Sequence, residues 1–199
     1  MSTQPEQEMR NDTVRSLVRA LEKHGPGEGG HADRVAVYAT STGHQLGMGI
    51  EELVELRWAA ELHDVGKISV DPALLRKLGT LTDAEMAQLH SHAVLAMRVI
   101  EEFDWLRPVV PLVRHHHERY DGTGYPDGLI GDDIPLGARV IAVAETFDVM
   151  TNATPWREPM ECAGAVEELR RCSGAQFDPA VVEAFCAVQP LIQPIGQRA

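Results

Sequence analysis

The sequence has little cysteine, few aromatic residues and no long apolar run. Its three cysteines all lie in the last quarter of the chain, and none belongs to a CxxC pair. A disulfide framework or a zinc knuckle is therefore not expected, and a reducing compartment fits. Aromatic residues make up only 5%, so the core must rely on Ala, Val, Leu and Ile. No run approaches the length of a membrane span, and the polar N-terminus shows no signal-peptide pattern.

Positive charge is also scarce. The chain has 18 Lys and Arg against 30 Asp and Glu, which gives a formal net charge of -12. Such an acidic protein is not expected to bind long nucleic acids or anionic membranes, and we expect it in the cytoplasm. A phosphate-bearing substrate is still compatible if metal ions or a few placed cations supply positive charge locally. The length of 199 residues is sufficient for one domain with a hydrophobic core.

The apolar residues follow helical spacing along most of the chain, and no strand pattern is visible. Thr82 and Glu85 have the spacing of a capping box, which predicts a helix that begins there and continues to about Phe103. The other predicted helices cover roughly 12–24, from 31 onward, 51–64, 108–117, 136–150 and 179–188. The prediction is an all-α, single-domain helical bundle over 12–188, with a disordered N-terminus at 1–11 and a C-terminal tail at 189–199.

His63 and Asp64 end an apolar predicted helix in the stretch LRWAAELHDVGKI. An imidazole and a carboxylate are costly to bury without partners, and metal coordination would remove that cost. A surface HD dipeptide that occurs by chance is the alternative. More such side chains on other predicted helices favour a metal site: His31, His92, His116, His117, Glu145 and Asp148. Imidazole and carboxylate ligands without thiolate suit Fe, Mn, Zn or Ni, and Asp64 could bridge two ions.

Four stretches together resemble the HD-GYP family of bacterial phosphodiesterases: HDVGKI, LTDAEMAQLHSH, HHERYDGTGYPDGL and IPLGARVIAVAETFDVMT. The match runs in register from His31 to the QFDPAVVEAF stretch at 176–185. The HD pair alone is a weak signal, whereas the HHE and GYP string at the right distance is specific. The resemblance implies an HD phosphohydrolase-type bundle with a GYP loop and two or three ions, usually iron or manganese. A hydroxide that bridges the ions would open cyclic di-GMP to pGpG, and sometimes on to GMP.

The resemblance also implies roles for individual residues. Six residues would be metal ligands, with Asp64 as the bridging carboxylate: His31, His63, Asp64, His92, His116 and His117. Lys67 would lie beside the ions and contact a phosphate or assist the leaving oxygen, although a helix-end lysine is the simpler alternative. The expected substrate contacts are Lys67, Arg119, Tyr125 and Arg157. We expect His115 to face outward or support its helix, and His90 to point to a different helix face from His92.

Three positions depart from the family pattern. Glu145 replaces an aspartate in VAETFDV and reaches one methylene further, so we expect a metal ligand with shifted geometry, while Asp148 would not be a ligand. Thr154 replaces a substrate-contacting arginine, which removes a bidentate contact, although Arg157 remains. Gly27 stands where some members carry an additional glutamate ligand, and this favours two ions over three.

The GYP loop has three glycines, which permit unusual backbone angles, and Pro126 stiffens its turn. The loop could cover the substrate, contact a GGDEF-type diguanylate cyclase as the resemblance implies, or serve only as a rigid connector over Tyr125. Three hypotheses follow: a metal-dependent cyclic dinucleotide phosphodiesterase, a weakened or inactive module that binds a nucleotide or a partner, and an HD enzyme for another phosphate ester. Because no sensor segment is visible, we expect a stand-alone domain that is regulated through a separate chain or through its expression level.

Overall fold

A computed structural model describes residues 4–24, 30–153 and 158–192. Within these ranges the only β pairing is an isolated bridge between Ser173 and Phe177, and the all-α prediction is confirmed. The α-helices of the described residues are α1 (Gln4–His24), α2 (His31–Gln45), α3 (Ile50–Leu62), α4 (Pro72–Leu75), α5 (Asp83–His90), α6 (His92–Ile100), α7 (Val110–Arg114), α8 (Leu136–Thr151), α9 (Cys162–Arg171) and α10 (Pro179–Val188). Short 3-10 segments lie at Val65–Ser69, Asp104–Val109, Gly131–Asp133 and Gln189–Leu191.

The first helix begins at Gln4, so the predicted disorder of 1–11 is wrong for residues 4–11. Tertiary contacts explain why this polar segment is helical. Trp58 Nε1 donates a 2.9 Å hydrogen bond to Asn11 Oδ1, and the Arg10 guanidinium lies 5.4 Å from the Trp105 ring centroid. Residues 1–3 and 193–199 lie outside the described residues, and the domain limits stay predictions.

Two predicted helices are shorter than expected. The helix predicted from Thr82 to Phe103 is interrupted at Ser91, whose hydroxyl donates to the carbonyl of Gln88 at 2.6 Å, and this divides it into α5 and α6. In the 108–117 stretch, the prolines remove backbone donors, and only the five residues of α7 are α-helical. The amphipathic helix α9 was not predicted at all.

The core lies where α2, α3, α8 and α10 meet. Tyr38, Phe147 and Phe185 form a three-ring contact there, with centroids 4.9–5.9 Å apart. The remaining buried apolar residues are mostly Ala, Val, Leu and Ile, as the low aromatic content predicts. None of the described helices is both long enough and apolar enough to cross a bilayer.

One glycine allows a close approach that positions the HD pair. Gly66 lies in the 3-10 turn after Asp64, and a Cβ atom there would be 1.9 Å from the carbonyl oxygen of His92. Such a distance is far below van der Waals contact, so only glycine lets this turn pack against α6. Asp64 and His92, which are 28 positions apart in the sequence, are thereby brought to one site.

Candidate metal centre

Five imidazoles and one carboxylate converge at the ends of α2, α3 and α6 and in the turn after α7. They form two groups, in each of which the candidate ligand atoms lie within 4.8 Å of one another. The first group consists of His31, His63 and Asp64, and the second of His92, His116 and His117. All but His117 are buried. The structure therefore brings together six of the seven residues that the sequence predicts as metal ligands, all except Glu145.

Hydrogen bonds orient four of the imidazoles in the same sense. In each of them Nδ1 lies 2.6–2.7 Å from an oxygen, so the Nδ1–H donates and Nε2 carries the lone pair. The pairs are His31 with Asp148 Oδ2, His63 with Ala60 O, His92 with Leu89 O, and His116 with Val113 O. This arrangement holds a metal-ligating histidine in a fixed tautomer and ring position.

The Nε2 atoms of neighbouring imidazoles lie close to one another. His31 Nε2 lies 3.3 Å from His63 Nε2, and His117 Nε2 lies 3.2 Å from His92 Nε2. Within the described part of the chain, His116 Nε2 and Asp64 Oδ1 are buried without a hydrogen-bond partner. Facing lone pairs and buried orphan acceptors are unfavourable unless a cation lies between them. The donor set therefore fits two cations, with Asp64 between the groups.

The charge states at neutral pH suit cation binding. Burial lowers the pKa of His63 and of His116, and burial together with neighbouring His92 lowers the pKa of His117 to about 3. These rings are therefore neutral. Burial opposes ionisation of Asp64, but Lys67, whose Nζ lies 2.5 Å from Oδ2, and the nearby imidazoles outweigh it and hold the pKa well below its usual range. Deprotonated ligands are what metal binding requires.

Asp148 supports the first group from behind. Its Oδ2 accepts the His31 hydrogen bond, and Arg34 binds both of its oxygens, with Nε 2.6 Å from Oδ1 and Nη2 2.9 Å from Oδ2. Asn152 Nδ2 donates to Oδ1 at 3.0 Å. Burial opposes the charged form, but the hydrogen bonds from His31 and Arg34 outweigh it, and the pKa of Asp148 is lowered. Asp148 is thus a carboxylate that orients a ligand, a role that the spacing in sequence did not reveal.

The two groups open into a cavity of about 660 Å³, a volume typical of small-molecule sites. Its lining includes Lys67, Tyr125 and Glu145 beside the imidazoles. Six leucines also line it: Leu21, Leu74, Leu75, Leu78, Leu81 and Leu89. A ligand with one charged and one flat apolar part would match this mixed lining.

The other predicted site residues have different positions. Glu145 is half-buried and lines the cavity, but it belongs to neither group of ligand atoms. Arg119 is not among the described residues that line this cavity, because its guanidinium is bound within the GYP loop, 2.8 Å from Thr123 Oγ1 and 3.1 Å from Asp121 Oδ2. Arg157 and Thr154, like Gly27, lie outside the described residues.

The GYP loop is anchored by a carboxylate that the sequence reasoning missed. Glu118 is buried, and its Oε1 accepts hydrogen bonds from the backbone N–H groups of Asp127 and Gly128 at 2.7 and 3.1 Å. His115 Nδ1 lies between the two carboxylates, 3.7 Å from Glu118 Oε1 and 3.5 Å from Asp127 Oδ2. His115 is therefore a half-buried support of the loop base. With Glu118 and Asp127 it forms a separate third cluster of candidate ligand atoms, apart from the two groups that line the cavity.

Comparison with known proteins agrees with this geometry. The HD domain family model matches residues 15–181. The chain is 36% identical over 181 residues to the cyclic di-GMP phosphodiesterase response regulator RpfG of Xanthomonas campestris pv. campestris. The aligned region covers 90% of this chain and 48% of that protein. It is 33% identical over 176 residues to the 3'3'-cGAMP-specific phosphodiesterase 3 of Vibrio cholerae, and this region covers 88% of this chain and 38% of that protein.

Solved structures share the fold. A cyclic GMP-AMP specific phosphodiesterase of V. cholerae (V-cGAP3) superposes with a TM-score of 0.69 at 21% identity, over 89% of this chain and 48% of that one. The chain thus spans about half or less of the length of these relatives. The family match covers most of the chain, and it coincides with the HD pair, the HHE string and the GYP loop. The chain therefore belongs to the HD domain family, and its motifs are those of the HD-GYP type.

Proposed function

We propose that this chain is a metal-dependent phosphodiesterase that hydrolyses cyclic di-GMP to pGpG, and in part on to GMP. The observation that carries this proposal is the pair of ligand groups that open into the same cavity as Lys67. Two divalent ions, iron or manganese in preference to zinc or nickel, would be held by the six clustered residues, with Glu145 as a further ligand on rotation of its side chain. When bound, such ions supply positive charge to a phosphodiester and acidify a water molecule.

The protein side chains contribute binding and orientation. Lys67 is 25% exposed at its side chain and lines the cavity, so its ammonium group can donate to a non-bridging phosphate oxygen. Tyr125 lines the same cavity and is half-buried, and burial raises the pKa of its hydroxyl, so this hydroxyl stays protonated and can donate as well. Asp64 is held ionised between Lys67 and the imidazoles, which suits a bridging carboxylate.

The substrate is tested by a panel after anaerobic purification and metal analysis. We expect about two ions per chain and turnover of cyclic di-GMP that exceeds turnover of 3'3'-cGAMP and cyclic di-AMP. Faster cleavage of 3'3'-cGAMP, the substrate named for one relative, would replace cyclic di-GMP in the proposal. Protein that holds two ions and leaves every cyclic dinucleotide intact would refute it, in favour of an inactive binding module or an enzyme for another phosphate ester.

A pair of variants separates the site from the fold. Asp64→Ala should remove both the metal and the turnover, because it deletes a carboxylate that lies 3.5 Å from His63 Nε2 in the first group and 3.5 Å from His92 Nε2 in the second. Asp104→Ala is the matched control, since the Asp104 side chain is 89% exposed and forms a surface ion pair with neighbouring Arg107. The control should keep the metal content and rate of the parent protein.

Two further expectations belong to this proposal. The GYP loop, anchored through Glu118, presents a defined outer surface that a GGDEF-type diguanylate cyclase could recognise, and co-purification with such a cyclase tests this. Substrate and partner of this kind imply a cytoplasmic protein, which fractionation tests.

A further inference from the structure

Three aromatic rings form a column that leads away from the second ligand group. Tyr125 leans on His117, with ring centroids 4.9 Å apart and planes at 31°. Tyr125 also stacks on His90, with centroids 3.9 Å apart and planes only 11° from parallel. All three rings line the same cavity. Tyr125 therefore connects a candidate metal ligand, His117, to His90 through two ring contacts.

His90 occupies this end because of the helix break at Ser91. In one continuous helix, His90 and His92 would project to different faces, about 200° apart. The break after α5 lets both line the cavity, His92 within the ligand group and His90 against Tyr125. Since one face of the His90 ring is covered by Tyr125, the surface that it gives to the cavity is its opposite face and its edge.

Among the residues that the structure describes, no hydrogen bond holds the His90 ring. Leu81 and the neighbouring Leu89 line the same cavity. His90 is half-buried. A half-open aromatic ring next to leucines, one stacked ring away from Tyr125, is suited to a flat, uncharged partner and not to a phosphate.

We propose that His90 is the stacking surface for a purine base of the substrate and extends the column by a fourth ring. The proposal rests on the proposed function, which brings the phosphodiester to the ligand groups and Lys67. A nucleotide bound in that way must direct its base away from the metal centre, and the column supplies a π-face within two ring spacings of His117. Stacking of a base on an aromatic side chain tolerates any base, so this surface binds purines without selecting between guanine and adenine.

The test compares two ligands that differ only in the base, GMP and ribose 5-phosphate, by titration of the metal-loaded protein. Alanine substitution of a base-stacking residue weakens binding by about 5- to 150-fold. We expect His90→Ala to weaken the binding of GMP by roughly tenfold or more and to leave the binding of ribose 5-phosphate unchanged. His90→Trp should keep GMP binding, whereas His90→Leu, which covers Tyr125 without a π-face, should lose most of it.

The control is His44→Ala, at an exposed position near the end of α2 and outside the cavity, which should bind both ligands as the parent does. The stacking role would be overturned if His90→Ala lost affinity for GMP and ribose 5-phosphate equally, or lost affinity for neither. It would also be overturned if the parent protein bound neither ligand. Loss of both ligands together with faster hydrogen exchange over 121–131 would show that His90 only supports the GYP loop. His90-dependent GMP binding in a protein that cleaves no cyclic dinucleotide would uphold the stacking site while the proposed function fails.

Discussion

Replacement of Asp148 by asparagine tests whether the orientation of one imidazole controls one of the two ions. Asparagine keeps the shape of the side chain but loses the charge that holds His31 at 2.7 Å and Arg34 at 2.6 Å. His31 belongs to the first ligand group only. The substitution should therefore lower the affinity of the first group for its ion. The group formed by His92, His116 and His117 should keep its metal affinity.

The magnitude follows from the contacts. Loss of a partner that orients a metal-ligating histidine costs about 10- to 100-fold in metal affinity, or about 1.4–2.7 kcal/mol. A hydrogen bond to a charged group contributes about 1.5–3 kcal/mol, and this range agrees with the loss expected for metal affinity. The Asp148 side chain is only 1% exposed, so solvent screening does not reduce these values. We expect a shift of one binding step by one to two orders of magnitude.

The assay is a chelator competition titration with Mn²⁺ that resolves the two binding steps, with thermal unfolding as a check of the fold. Asp178→Asn is the matched control, because Asp178 is also buried and also pairs with an arginine, at 2.6 Å from Arg139, away from the ligand groups. The reasoning is refuted if both ions keep their affinity in Asp148→Asn, or if both weaken equally while Asp178→Asn binds normally.

Three further predictions concern packing, the altered carboxylate and pH. Gly66→Ala should severely destabilise the fold and abolish metal binding, since its Cβ would meet a backbone carbonyl at 1.9 Å, whereas Gly164→Ala, with 3.6 Å of clearance within α9, should unfold at the same temperature or higher. Glu145→Asp should change metal stoichiometry or turnover severalfold if the carboxylate coordinates, and an unchanged value of both would exclude it as a ligand. Glu85, whose pKa is depressed to about 2 by hydrogen bonds from Lys77 and Thr82, stabilises the fold above pH 4.5, and this contribution disappears as the pH falls through about 2. The Tm difference between the parent and Glu85→Gln should therefore vanish in acid, while Glu102→Gln, at an exposed position, should show no difference at any pH.

Much of the fold could be predicted because its helices carry local signals. The capping box at Thr82 and Glu85 is present as expected, with the backbone N–H of Glu85 3.3 Å from the Thr82 hydroxyl. The last predicted helix, Pro179–Val188, agrees at both ends. Helix α9 escaped prediction because its buried face rests on little more than Ala165 and Leu169. Helix α1 begins early because of contacts with Trp58 and Trp105, which no local pattern reveals.

The sequence by itself determined the types of ligand and their order along the chain. Imidazole and carboxylate side chains on several predicted helices already indicated a metal site. Tertiary structure alone decided which atoms meet. It set Asp148 behind His31, drew Lys67 onto Asp64, and left Glu145 outside both ligand groups. It also turned His90 onto Tyr125, because a break at one serine changes the direction of every side chain after it. Such relations depend on the angles between helices, and these angles follow from packing across the whole core and not from any local stretch.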